Sequence, residues 1–197
     1  DLIQLLKKSE DFAEIKVYSD NSSVVVSYFR TLIDVNMLQE DVLPYIKEKP
    51  FDSLQDIQAA LPIGVAKVTK QIEDIQNDIL NGYILIQIDK DISSCLLINI
   101  SKKEGRDITK AEIEYNIVGP QIAFVEDLDT NLNLLRRRLP TPFLQVEALK
   151  VGNLSNTSVA VVFIEGIADN QNVEEIIKRV SKIKIDHILD STYLTQL

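Results

Sequence analysis

Arg136, Arg137 and Arg138 stand side by side in LNLLRRRLPTPFLQ, inside a chain with a formal net charge of -9. Guanidinium groups stay charged and present N–H donors in a rigid fork, so their chemistry is recognition of carboxylate, phosphate or carbonyl oxygen. The three arginines are therefore a candidate interaction or anion-binding cluster. A local explanation competes: they fall in the last turn of a helix, where the dipole favours cations by about 0.3–1 kcal/mol each. Positions three and four before them include Leu132, Asn133 and Leu134, none acidic. No ion pair along the helix absorbs the charge, which leaves a partner elsewhere in the chain, or an anion, open.

Asp34 and Asp169 each follow an apolar strand. They are candidates for an inter-lobe or ligand role, with helix capping as the plain alternative. Glu165 and Gly166 lie just past a strand, where α/β sheets carry functional loops; a tight connection that needs glycine is the plain alternative. Gly119, in the Gly119-Pro120 loop, completes the set.

Little else offers chemistry. Cys95 sits in the apolar run CLLINI and reads as a buried thiol. His187 is the single histidine and has no cysteine cluster near it, which argues against a metal. Asp89 and Asp91 occupy a turn without the glycine and terminal glutamate of a calcium loop. Asp127 and Asp129 open a helix, where acids belong. There is no nucleophile elbow, phosphate-binding GxxxxGK[ST] loop or HExxH. The expectation is a chain that is not an enzyme and carries no cofactor or metal.

The elements that position these residues follow from periodicity. LIQLLKKSEDF reads as an amphipathic helix, and EIKVYS and SVVVSYF as strands around Asp20-Asn21-Ser22. A helix begins after Asp34 and runs to Pro44, which disturbs it. PFDSLQDIQAALP is a second helix capped by Asp52 or Ser53. Val65, Val68, Ile72, Ile75 and Ile79 predict a third, closed by Asn81-Gly82. YILIQID and SSCLLINIS form a hairpin. The polar stretch Lys102–Lys110 is the boundary candidate, and AEIEYNIVGPQ adds an edge strand. Phe124, Leu128, Leu132, Leu135 and Leu139 form one stripe of the helix that ends in the arginines, so Arg137 points away from it and its neighbours flank it. FLQVEALKVG and SVAVVFIEGIAD are two more strands. NVEEIIKRVSKI is the last helix, with Asn172 and Glu175 resembling a capping box.

A repeat organises these elements. SVVVSYFRTLIDVNMLQEDVL from Ser23 and SVAVVFIEGIADNQNVEEIIK from Ser158 align without a gap, placing Asp34 on Asp169 and Tyr28 on Phe163. The predicted fold is α/β, with two lobes that are each a small mixed sheet flanked by helices. They are related by an internal helix-strand-strand-helix repeat and span residues 1–104 and 105–197. Each apolar strand is expected to bury both faces. A cleft between lobes is a common ligand site. At 45% hydrophobic and 26% charged residues the composition is globular, and the acidic balance argues against nucleic acid. No apolar run approaches the ~20 residues of a membrane span. The chain starts at Asp1 without methionine and reads as a fragment of something longer.

VGPQIAFVEDLDTNLNLLRRRLPTPFLQVEALKVG and VAVVFIEGIADNQNVEEIIKRVSKIKIDHILDSTYLTQL carry a resemblance. Together they are similar to the N-terminal soluble domain of the A subunit of GerA-type spore germinant receptors of endospore-forming bacteria. YFRTLID resembles that family's weaker upstream copy. Val118 stands where the family often has arginine, and Ala123, His187 and Thr192 where glycine is common. The resemblance implies that the A subunit continues into membrane-spanning helices beyond Leu197. It implies B and C subunits and other A subunits as partners, in the spore inner membrane, with this domain on the cytoplasmic (spore core) side. It further implies sensing of small nutrients and triggering of germination. Two roles follow as expectations: subunit assembly and signal transmission, or binding of a small ligand between the lobes.

Overall fold

The computed structural model describes residues 2–19, 22–48, 51–88, 91–102 and 124–183. The first part is a five-stranded sheet in the order β1-β2-β4-β5-β3. Its strands are β1 (Phe12–Ser19), β2 (Ser22–Phe29), β3 (Ala66–Thr69), β4 (Tyr83–Ile88) and β5 (Asp91–Asn99). Every pairing is antiparallel, where mixed sheets were expected. Ile15, Val26, Ile86, Leu96 and Val68 line up in register across all five strands. Such rows of β-branched and aliphatic residues are the unit of sheet stabilisation.

Helices cover both faces. On the Ile86 face lie α2 (Val35–Met37), a π-turn over Leu38–Val42, α3 (Leu43–Glu48) and α4 (Leu54–Ala60). They bury Leu38, Val42, Ile46, Leu54 and Ile57 against the sheet. On the other face, α1 (Leu2–Leu6) and α5 (Ile72–Ile79) bury Leu6 and Ile79 against Phe29, Leu85 and Leu97. Pro44 does not end its helix. Its ring would crowd the carbonyl four residues back, and the π-turn just before it, with Leu43 N–H bonded to Leu38 O, widens the helix and lets it run on to Glu48. The predicted cap holds: Ser53 accepts from Asp56 N–H at 3.2 Å and Asp56 returns the bond to Ser53 N–H at 2.9 Å.

One element differs in type. The spacing of Val65, Val68 and Ile72 predicts that the α5 helix starts there, but Ala66–Thr69 pairs with β5 as an edge strand. Val68 and Ile72 satisfy a helical step of four, yet Val68 faces the core while Lys67 faces α5, the alternation of a strand.

In the second part, α6 (Leu128–Arg138) leads into β6 (Leu144–Val151) and β7 (Thr157–Ile164), a two-stranded antiparallel pair followed by α7 (Asn170–Ser181). The duplication is plain in the register. β2 and β7 begin at Ser22 and Thr157, their helices at Val35 and Asn170, an offset of 135 in both cases. Tyr28 pairs with Ala13 as Phe163 pairs with Gln145, and Phe12↔Phe29 corresponds to Leu144↔Ile164. The copies differ in setting: β2 has a neighbour on each side, whereas among the described residues β7 pairs with β6 alone. Every β7 residue accordingly keeps some exposure, against the expectation of a strand buried on both faces. The boundary near Gly105 and the edge strand within 111–121 lie outside the described residues.

Candidate functional site

The arginines separate in the structure. Arg136 is 1% exposed, while Arg137 and Arg138 are exposed. The buried face of α6 is Leu132, Asn133 and Arg136, not the leucine stripe the sequence suggested; Leu139 is largely outside.

Arg136 reaches the turn between α1 and β1. Its Nε donates to Asp11 Oδ2 at 2.5 Å and its Nη2 to Asp11 Oδ1 at 2.6 Å, a bidentate pair. Nη2 also donates to Ser9 Oγ at 2.8 Å, and Nη1 to the Leu144 carbonyl at 3.3 Å. The guanidinium lies over the Phe29 ring, 3.9 Å from its centre, and Phe12 meets that ring edge-on. Asp11 is saturated by two further donors, Ser9 Oγ at 2.8 Å and Thr31 Oγ1 at 2.9 Å. Ser9 Oγ accepts from Val146 N–H at 2.9 Å as well. A buried charge pair is stable only when its remaining lone pairs and protons are met in this way.

The node is the centre of a longer seam. Glu10 N–H donates to the Val146 carbonyl, and Ala148 N–H to Glu10 Oε2, so Ser9 and Glu10 occupy the outer edge of β6. Asn133 Nδ2 donates to the Thr31 carbonyl at 2.6 Å. Arg137 donates to Asn133 Oδ1 at 3.0 Å and to the Lys102 carbonyl. Lys8 pairs with Glu165, and Arg30 with Asp129 at 3.4 Å. Apart from the Arg137–Asn133 bond within α6, each of these bonds joins the first copy of the repeat, or its sheet, to the second.

Burial alone would push the Asp11 carboxyl up. The Arg136 hydrogen bonds and charge, with Ser9 and Thr31, outweigh burial and hold it below the ordinary carboxylate value. The folded group therefore binds its proton less readily than the unfolded one. Its contribution to stability is complete above the unfolded carboxylate pKa, about 3.9, and is lost as pH falls through the lower folded value. The melting temperature should fall below about pH 4, and Asp11→Asn, although less stable at neutral pH, should lose that part of the acid slope. A parallel acid slope in the variant would place the titration elsewhere.

Arg136, Arg137 and Glu165 meet along the seam. Arg138 makes no side-chain bond among the described residues. Asp34 caps α2, accepting from Asn36 and Met37 N–H, and Asp169 caps α7, accepting from Gln171 N–H at 2.8 Å. Asp169, rather than Asn172 with Glu175, thus starts α7, while Glu175 pairs with Arg179. Gly166 is exposed at φ 84, the left-handed region that favours glycine. Gly119 and His187 lie outside the described residues. Burial drives the Cys95 thiol up to about 11, the opposite of an activated nucleophile. Asp127 caps α6 through Thr130 N–H at 2.7 Å. Among the described residues no group of acids, cysteines or histidines is placed to hold a metal.

Sequence reasoning missed Ser9, Asp11, Thr31 and Asn133. The available signal was Asn133 itself, a polar residue one step from the leucine stripe.

A duplicated helix–strand–strand–helix unit, whose first copy supplies two strands of the five-stranded antiparallel sheet and is clamped to the second by a buried arginine, defines a non-barrel α/β domain. The fold matches the crystal structure of the N-terminal domain of the A subunit of the Bacillus megaterium spore germinant receptor GerK3. The TM-score is 0.70 at 24% identity, over 99% of this chain and 74% of that one. The family model described as Bacillus/Clostridium GerA spore germination protein matches residues 1–197, and the chain belongs to that family. It is 72% identical over 197 residues to the spore germination protein GerQA of Bacillus cereus and 34% identical to GerIA of the same organism. The chain spans 40% of the first and 30% of the second. Among the described residues no helix is long and apolar enough to cross a membrane.

Proposed function

We propose that this chain is the N-terminal domain of a germinant receptor A subunit, and that it serves germination by assembly and signal transmission rather than by catalysis. Two lobes, residues 1–104 and 105–197, act as one stiff unit. It sits on the cytoplasmic side of the spore inner membrane, against B and C subunits and other A subunits, and passes a nutrient signal toward membrane helices elsewhere in the protein. The observation that carries this reading is the seam. Arg136, on a helix of the second copy, is enclosed by Ser9 and Asp11 of the first and the Leu144 carbonyl of its own, so a displacement of one copy is borne by the other. A ligand held between the lobes is less favoured, since Ser9, Asp11, Thr31, Asn133 and Arg136 already bond one another or the backbone across the seam.

Arg138 is exposed and makes no side-chain bond among the described residues, and Arg137 is exposed beside it while holding Asn133 and the Lys102 carbonyl; together they present charge to a partner. In the full-length protein, Arg137→Glu with Arg138→Glu should slow nutrient-triggered germination while Asp11–Arg136 stays intact. The isolated 197-residue chain should stay folded and melt roughly 4–8 °C lower, because the two Arg137 hydrogen bonds cost about 1 kcal/mol each. Normal germination with both charges reversed would end the coupling role assigned to them.

A further inference from the structure

The sheet face covered by α1 and α5 is closed at one end and open at the other. Along α5 the apolar stripe runs from Ile79, 0% exposed, through half-buried Ile75 to Ile72, 66% exposed. β5 changes in step: Leu97 and Cys95 are buried, and Ser93 follows on the same face. β4 passes from buried Leu85 to half-buried Gln87. Three elements thus splay in one direction. They leave a cavity of about 430 Å³ with Leu85 and Cys95 as floor and Leu2, Ile3 and Ile75 as walls. That volume falls among small-molecule sites, about 300–1,000 Å³. An isoleucine left mostly in water at its mouth forfeits burial that an apolar ligand would restore.

Polar groups stand at the open end: Thr69, Lys70 and Gln87 line it. Lys67, three residues earlier, is taken up by Asp74 and Asp78 at 3.7 and 2.9 Å. Lys70 has no such carboxylate among the described residues, and the Gln87 amide makes no side-chain bond there either. Glu73, three residues on, forms no ion pair with Lys70 among the described residues, and Asp74 is held by Lys67 and by Thr69 Oγ1 at 3.2 Å.

We propose that this wedge binds a small amphipathic monocarboxylate, its apolar body among Ile3, Ile72 and Ile75 and its carboxylate at Lys70 and Gln87. A cationic ligand would meet Lys70 with the wrong sign. A neutral hydrocarbon would leave the amide and ammonium unused, and a phosphate ester would ask for more than one cation. The short helix α1 walls the cavity through Leu2 and Ile3, and the turn that follows it carries Ser9 and Asp11 of the arginine node.

The test uses the 197-residue chain with hexanoate as probe, read by methyl NMR of the isoleucine δ1 groups. Saturable shifts are expected at Ile3, Ile72 and Ile75, with none at Ile46 and Ile57 across the sheet. Hexylamine, with the same body and the opposite charge, should bind at least about tenfold more weakly. Lys70→Met should weaken hexanoate about fivefold without moving the melting temperature. No shift at those three methyls up to millimolar hexanoate, shifts shared by both faces, or equal binding of hexylamine would each overturn the site. Unchanged hexanoate affinity in Lys70→Met would overturn it too.

Discussion

Arg136→Met is expected to remove about 3–5 kcal/mol of folding stability. The thioether fills much of the volume, so a cavity is not the cause. The loss comes from Asp11, which is 1% exposed and is left as a buried carboxylate without its counter-charge. Ser9 and Thr31 still donate to it, but two neutral donors do not offset the desolvation of an ion. For a chain of this size the melting temperature should fall by roughly 6–20 °C. Arg136→Lys should also be costly, since an ammonium cannot supply the paired Nε and Nη2 donors and the flat face over Phe29 together. The decisive comparison is Arg136→Met with Asp11→Leu. Replacing both partners by apolar groups removes the orphaned charge, so the double variant should be more stable than Arg136→Met alone. Urea unfolding of the four chains gives the coupling directly. Simple additivity, or a single variant melting within a few degrees of the parent, would show that the pair does not clamp the seam.

Much of this framework can be read from the sequence, and the reasons are physical. Continuous apolar runs such as SVVVSYF and SVAVVFI have few alternatives to a strand, and α7 repeats apolar residues at steps of three and four. The offset of 135 needs no structure, because Ser, Val, Asp and Glu recur at matched positions. Capping of Asp34 and Asp169 follows from short acceptors placed just before helical spacing. The centre of the seam was hidden for a different reason. Three identical arginines differ only by a rotation of about 100° per residue, and the leucine stripe chose the wrong reference face. The buried side of α6 is partly polar because the wall it meets is polar: Ser9, Asp11 and Thr31. Those residues stand more than 100 positions earlier, and nothing local in one sequence pairs them. Ala66–Thr69 failed for a simpler reason, since Val68 and Ile72 satisfy both periods over so short a run.

Gly82→Ala should be nearly as damaging, at about 2–5 kcal/mol, from two separate sources. Gly82 sits at φ 86 between α5 and β4, and a side chain in the left-handed region costs roughly 1–2 kcal/mol. The added Cβ would also lie 2.6 Å from the Leu32 carbonyl oxygen and 2.7 Å from Ser101 Cβ. Neither neighbour is the free end of a flexible side chain, so relief requires backbone movement, at about 1–3 kcal/mol. That backbone is tied: Lys102 N–H donates to Leu32 O at 2.9 Å, Asp34 N–H to Ile100 O at 2.8 Å, and Ile33 bridges Ser101. Moving it would displace the Lys102 carbonyl that Arg137 holds across the seam. Gly166→Ala is the matched control, with φ 84 and nothing within 4 Å of the new Cβ. It should show the conformational cost alone, about 1–2 kcal/mol. The difference between the two variants measures the contact. If Gly82→Ala unfolds at the same urea concentration as Gly166→Ala, the start of β4 does not press against Leu32 and Ser101 as described.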